Sequence, residues 1–286
     1  MDEISRLAYK FFDDSYTLRI NGYNGEDKMS IRQFIVMGCV FILIILISIL
    51  LRRSKKEKLF LIYKILAIAM PILDIVKIIF SSYYDILNNE GFNWGGILPF
   101  YTCSMLVYFL PVVAWGKGKM QRYSMAFFST IGLVAGLSNF IYLSAAGWYP
   151  LFTFGCMYSI IYHAVIVFVG ISLMITETYT PSIKTFYEGM IPVLIFSIFV
   201  IPINYIIYHF TDNKYVDYML LMNGNGFPII GDFAEMLAKE GLRIIFSLLM
   251  LLVAYPIATF LITLVDVGVT KAVKAFKPKE NIEEAN

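Results

Sequence analysis

The chain has 286 residues, of which 59% are hydrophobic and 15% charged, with a formal net charge of +2. A soluble domain of this size carries about 25% charged residues, so the composition excludes an ordinary water-soluble fold, and the mean hydropathy of +0.71 points to a membrane. The basic residues sit in short clusters between apolar runs, which fits topology determinants and excludes a nucleic-acid surface.

Residues 1–30 are expected to form an exterior segment. Within residues 2–12, Ile4, Leu7, Ala8 and Phe11 share one helical face, which predicts a short helix on the outer surface. Apolar runs follow at about 31–51, 59–80, 95–115, 123–145, 152–174, 190–210 and 241–268, each near the length that crosses a ~30 Å hydrocarbon core. The first run has a mixed-charge lead and no small-residue cleavage site, so it is expected to stay as an anchor.

The reading is an all-α polytopic bundle of about seven transmembrane helices over 31–268, followed by a charged cytoplasmic tail over 269–286. Basic clusters set its orientation, since Lys and Arg mark the cytoplasmic side. Arg52, Arg53, Lys55, Lys56 and Lys58 follow the first run; Lys117, Lys119 and Arg122 follow the third; Lys271, Lys274, Lys277 and Lys279 open the tail. These share one side only if the span count is odd, which puts the N-terminus outside and the C-terminus in the cytoplasm. A bacterial cytoplasmic membrane is the expected location. The connection at 211–240 is mostly acidic yet carries Tyr215, Tyr218, Met219, Phe227 and Phe233, and is expected to fold back onto the helix ends.

Ionisable and polar groups inside a span are candidates for function, because lipid-facing surface has no use for them. At ~1.5 Å per residue, Cys103 falls roughly 12 Å, His163 roughly 17 Å, and Asn204 and Asp74 roughly 9 Å below the outer ends of their runs. Four groups from four helices would make one buried polar site if their faces converge. A thiol whose proton passes to an imidazole becomes a strong nucleophile, and a third polar group can orient the ring. Cys39 and Cys156 have no such company, and all three cysteines lie in apolar runs that argue against a disulfide framework. His209 sits at a span end, where an interfacial ring is unremarkable.

Three stretches carry a resemblance. Leu98-Pro99-Phe100-Tyr101-Thr102-Cys103 resembles the Leu-Pro-x-x-x-Cys motif of the YwaF-like bacterial integral membrane proteins. That family includes the eukaryotic transmembrane protein 164, a phospholipid acyltransferase. His163, in Ile160-Ile161-Tyr162-His163-Ala164, stands where the family has a histidine about sixty residues on. Ile203-Asn204-Tyr205 is similar to its Asn-Tyr pair, and Gly224-Asn225-Gly226-Phe227-Pro228 to its glycine-rich element. Over residues 59–268 the resemblance implies a seven-span acyltransferase-like fold. It implies Cys103 as nucleophile, His163 as base, a thioester intermediate and a membrane lipid as acyl donor or acceptor. Tyr101 replaces the family's frequent His or Gln, and Ser104 stands where some members carry an acid.

Other positions have plainer readings. Asp74 and Lys77 are spaced to pair along one helix, and Arg243 is either an interfacial anchor or a holder of a lipid phosphate. Asp74, Tyr101, Tyr205 and Arg243 are the candidate substrate contacts. Gly132 and Gly136 suggest close helix packing, and Trp94, Trp115 and Trp148 suit the aromatic belt. No metal or other cofactor is implied, since two histidines at different depths and scattered carboxylates form no ligand cluster. Two other functions stay open. A transporter or small-molecule-binding subunit would centre on Asp74, and a ligand-free scaffold would use the same groups for packing.

Overall fold

The computed structural model describes residues 11–12, 31–87, 98–141, 151–211, 216–222, 232–233, 235–237 and 242–275. Trp94, Trp148, the 224–228 element, most of the N-terminal segment and the end of the tail lie outside these. The described structure is helical: α1 (Ile31–Arg52), α2 (Lys56–Leu87), α3 (Met105–Trp115), α4 (Gly118–Phe127), α5 (Leu133–Ile141), α6 (Phe154–Ile175), α7 (Met190–Phe210), α8 (Arg243–Leu249) and α9 (Tyr255–Ala275). Single π-helical turns at Phe128–Gly132 and Met250–Ala254 join α4 to α5 and α8 to α9, and a 3-10 turn at Ile183–Gly189 leads into α7.

Five stretches are long and apolar enough to cross a bilayer: Ile31–Arg52, Lys56–Phe80, Phe154–Ile175, Phe186–Phe210 and Arg243–Gly268. This is a multi-pass membrane protein. They coincide with the first, second, fifth, sixth and seventh expected runs.

The two remaining runs take other forms. The third, expected as one helix over 95–115, is described from Leu98: Leu98–Ser104 is an irregular turn and the helix runs from Met105. Pro99 explains the break, since it lacks an N–H and pushes the preceding residue out of the helical region. The fourth begins earlier than expected, at Gly118, whose φ of +67° suits glycine at a chain reversal. Its first turns carry Lys119, Gln121 and Arg122, so only its later part is apolar.

Packing centres on α6, where 61% of the apolar span is buried, against 17% for α1. Between apolar helices in lipid, close contact matters more than water exclusion, and small residues permit it. A Cβ on Gly170 of α6 would meet the Phe128 carbonyl oxygen at 2.5 Å, and one on Gly136 of α5 would meet Val167 of α6 at 2.8 Å. Gly136 therefore serves a helix crossing, as expected, whereas Gly132 faces atoms of its own Phe127.

The two ends of the bundle differ in what joins them. At one end Arg52 pairs with Glu177 at 3.4 Å, and Arg122 meets Glu188 through Nε at 3.0 and 2.7 Å. One turn further in, Tyr63 of α2 and Ser172 of α6 share a 2.8 Å hydrogen bond. These contacts put the basic clusters after the first and third runs on one side of the bundle, next to the acidic residues that follow α6. At the opposite end Phe12 stacks on Phe80 with centroids 3.9 Å apart and lies 5.2 Å from Phe154. The described part of the N-terminal segment thus rests on the end of α2 and the start of α6.

Candidate functional site

Asp74 is the centre of the polar cluster at that second end. It is buried on α2, and two tyrosines of α6 donate to its carboxylate: Tyr158 to Oδ1, and Tyr162 to Oδ2 at 3.4 Å. Their four-residue spacing sets both hydroxyls on one helix face. The Lys77 ammonium stands 5.1 Å from the Tyr158 ring centroid, one turn beyond Asp74, and acts electrostatically on Asp74. The expected Asp74–Lys77 association is thus part of a larger arrangement that also engages α6.

Cys103 lies within electrostatic range of this cluster: Lys77, Tyr158 and Tyr162 each interact with its thiol through charge. Because the chain breaks at Pro99, Cys103 sits on the turn just before α3 rather than inside a helix, and its carbonyl accepts Leu106 N–H at 3.1 Å. Cys39 is exposed on α1, and Cys156 is buried, with Gln33 Nε2 at 3.9 Å from its sulfur. Neither joins the polar cluster.

His163 stands apart from Cys103. Its Nδ1 donates to the Ser159 carbonyl at 2.7 Å, one turn back on α6, which leaves Nε2 as the acceptor nitrogen. At roughly 100° per residue, His163 lies roughly 140° around the helix from Tyr158, the residue that faces Asp74. Among the described residues no hydrogen bond joins His163 to Cys103. The ring has the tautomer of a base, and the geometry turns it toward another face.

Asn204 is committed to the backbone. Its Oδ1 accepts Tyr218 N–H at 3.0 Å and its Nδ2 donates to Tyr218 C=O at 3.0 Å, so the side chain acts like a short strand partner. It holds the segment 216–222, which threads into the bundle. Ser247 donates to Leu221 C=O, Tyr255 donates to Met219 C=O at 2.9 Å, and Asp217 accepts Met222 N–H at 2.7 Å. Irregular backbone at membrane depth requires such partners. Met219 has a φ of +58°, an uncommon value for a residue with a side chain, and its carbonyl bond helps to hold it.

This segment supports the cysteine turn. Tyr218 is buried, with its ring 5.0 Å from Tyr101 and 5.6 Å from Phe100. Tyr255 also shares a 3.1 Å hydrogen bond with Thr102, the neighbour of Cys103. Asn204 therefore holds Tyr218, whose ring packs on Tyr101 and Phe100 of the cysteine turn. Tyr101 is itself 37% exposed, so it stands at the rim of the site.

Tyr205 and Arg243 form a separate group at the same end. The Arg243 guanidinium lies 3.9 Å from the Tyr208 ring centroid. Its Nε is buried with no acceptor, and the buried Tyr205 hydroxyl has the Ser247 hydroxyl as its neighbour. Among the described residues, no group of three or more His, Cys, Asp or Glu could hold a metal ion.

Several of these partners were not singled out from the sequence. Tyr158, Tyr162 and Tyr255 are three among 20 tyrosines, and only their partners distinguish them. The four-residue spacing of Tyr158 and Tyr162 opposite a buried aspartate was the one available signal. Asp266 of α9, with Oδ2 buried and unpartnered, is a further polar group that apolar patterning hid.

Neither the curated proteins nor the solved structures give a match to this chain. The family model described as the TMEM164 family matches residues 27–265, a stretch that contains Cys103, His163, Asn204 and the Asp74 cluster. By that match the chain belongs to the TMEM164 family.

Proposed function

We propose that this protein is a membrane lipid acyltransferase-like enzyme with Cys103 as its nucleophile. The observation that carries the reading is the placement of Cys103 on the turn before α3, within electrostatic range of Lys77, Tyr158 and Tyr162, the groups that surround Asp74. The proposed topology has seven crossings, with α3 plus its lead-in and the α4–α5 helix completing the five long spans, and the N-terminus outside. Membrane lipids are the proposed partners, met within the bilayer of a cytoplasmic membrane.

In the first step the Cys103 thiolate attacks the carbonyl carbon of an acyl ester. An S–C bond forms, the ester C–O bond breaks, and the departing alkoxide takes up a proton. In the second step a hydroxyl acceptor attacks the thioester, the S–C bond breaks, and the sulfur is reprotonated. Lys77 supports negative charge on sulfur. The family resemblance assigns the base to His163. The geometry favours the Asp74–Tyr158 pair, because Tyr158 is in electrostatic contact with Cys103 and His163 is turned away.

The test is intact mass of the purified protein after incubation with mixed phospholipids, with and without hydroxylamine. A hydroxylamine-labile fatty-acyl adduct on Cys103, absent from Cys103→Ala, supports the enzyme. Absence of the adduct from wild type, Asp74→Asn and His163→Ala alike refutes it. A second reading, a transporter, draws on the irregular segments Leu98–Ser104 and 216–222, which resemble the broken helices of transport sites. Substrate uptake that depends on Asp74 and survives Cys103→Ala would select that reading.

A further inference from the structure

The last turns of α7 and the first turn of α8 meet at the end of the bundle that carries Cys103. Two donors from different helices meet there: Arg243 Nε, which is buried with no acceptor, and the buried Tyr205 hydroxyl, which has the Ser247 hydroxyl as its neighbour. Arg243 is close enough to act electrostatically on Tyr205. Ser247 lies beside Tyr205, but its hydroxyl hydrogen is directed to the Leu221 carbonyl. His209 completes the group, with its ring 5.2 Å from Tyr208 and 6.3 Å from Tyr205.

A simple interfacial anchor does not account for this arrangement. Such an arginine extends its head into water, where every N–H is solvated. Here Nε is withdrawn from solvent, and the guanidinium plane is fixed against Tyr208. Among the described residues no carboxylate or other acceptor meets the guanidinium. Buried donors without acceptors are costly, so the missing partner is an acceptor, and beside a guanidinium it is an anionic one. A tetrahedral oxyanion offers several oxygens to a planar fork and to a hydroxyl at once. Arg243 opens its membrane span, which places it at the depth of lipid head groups.

We propose that Arg243 and Tyr205, with Tyr208 as the platform for the guanidinium, form a phosphate-binding site for the head group of a phospholipid. The site shares a support with the nucleophile. Ser247, one turn after Arg243, holds Leu221, and the same segment holds Tyr218 against Tyr101. A lipid held here by its phosphate would stand at the Cys103 end of the bundle. Its role as acyl donor or acceptor rests on the reading under Proposed function, whereas binding itself does not.

The experiment measures binding to the full chain in a phosphate-free maltoside detergent. The probes are dihexanoyl phosphatidylglycerol, dihexanoylglycerol and inorganic phosphate. Wild type is expected to bind the phospholipid and not the neutral glyceride. Arg243→Gln should weaken binding roughly tenfold to a hundredfold, and Tyr205→Phe roughly threefold to tenfold, the range expected for losing a charged or a neutral hydrogen bond. Tyr205→Phe guards against misfolding as an explanation, because the hydroxyl it removes holds no backbone group and no charged partner. Its Tm without lipid should equal that of wild type.

Cys103→Ala should bind as wild type does, so failed acyl transfer with retained binding would count against the enzyme alone. Equal binding of the neutral glyceride, or unchanged affinity in both Arg243→Gln and Tyr205→Phe, overturns the site. Inorganic phosphate binding as tightly as the phospholipid would keep the phosphate chemistry and overturn the lipid as its source.

Discussion

The two ends of the bundle use polar groups in opposite ways. At the Arg52 and Arg122 end the guanidinium groups have carboxylate partners, Glu177 and Glu188, and Tyr63 and Ser172 satisfy each other. Helices pack closely on that side, as where Gly170 faces the Phe128 carbonyl. At the other end the backbone is irregular at Leu98–Ser104 and 216–222, a carboxylate is held by tyrosines, and Arg243 has an aromatic ring but no anion. Closed polar pairs hold a structure together, whereas polar groups with spare hydrogen-bonding capacity can take a ligand. The contrast separates framework from site within one small membrane protein.

The sharpest way to break this contrast is at Asp74. If the tyrosine-held carboxylate takes the proton from Cys103, Asp74→Asn lowers the rate of thioester formation by about 10²- to 10⁴-fold, while the protein still purifies in its normal yield. The same assay on His163→Ala decides which group is the base. A wild-type rate in Asp74→Asn would return that role to His163.

Asn204 tests whether the 216–222 segment is framework or site. Asn204→Leu removes both side-chain hydrogen bonds to the Tyr218 backbone, and should cost about 2–4 kcal/mol of stability. Unfolding in mixed micelles measures that loss, and an unchanged midpoint would show that the segment is held without Asn204. Thioester formation should fall as well, because Tyr218 no longer supports Tyr101.

Effects at the framework end should be smaller and confined to stability. Gly170→Val drives a side chain into the Phe128 carbonyl and should cost about 1–3 kcal/mol, with the chemistry of Cys103 unchanged in the protein that remains folded. Glu188→Gln is the mildest. Arg122 is 54% exposed and Glu188 7% exposed, and a pair with one solvated partner contributes at most about 1 kcal/mol. A larger loss, read from the same unfolding midpoint, would mean that the pair does more than fasten the 3-10 turn to α4.

Much of the architecture was legible because a bilayer imposes length and apolarity directly on the chain. Five of the expected runs became long apolar helices, and the basic clusters identified connections that lie together at one end. The third run looked continuous in hydropathy, yet Pro99 ends regular structure ahead of Cys103. Hydropathy averages over such a break, although the proline itself was visible. The residues of the site were also legible one by one, because Cys, His, Asn, Asp and Arg stand out against an apolar background. Membership of the TMEM164 family over residues 27–265 agrees with the family resemblance read from the motifs.

The sequence by itself determined which segments meet lipid and which side chains are too polar to be there without a reason. Both follow from the energetic cost of polar groups in hydrocarbon. Only the tertiary structure decided which of those polar groups meet. Depth along a helix follows from counting residues, but direction around it depends on how the neighbours pack, and each residue turns that direction by about 100°. Asp74 therefore joined Tyr158, Tyr162 and Lys77. By the same rule His163 met the Ser159 carbonyl, Asn204 was taken by the backbone of Tyr218, and Arg243 came to lie over the Tyr208 ring.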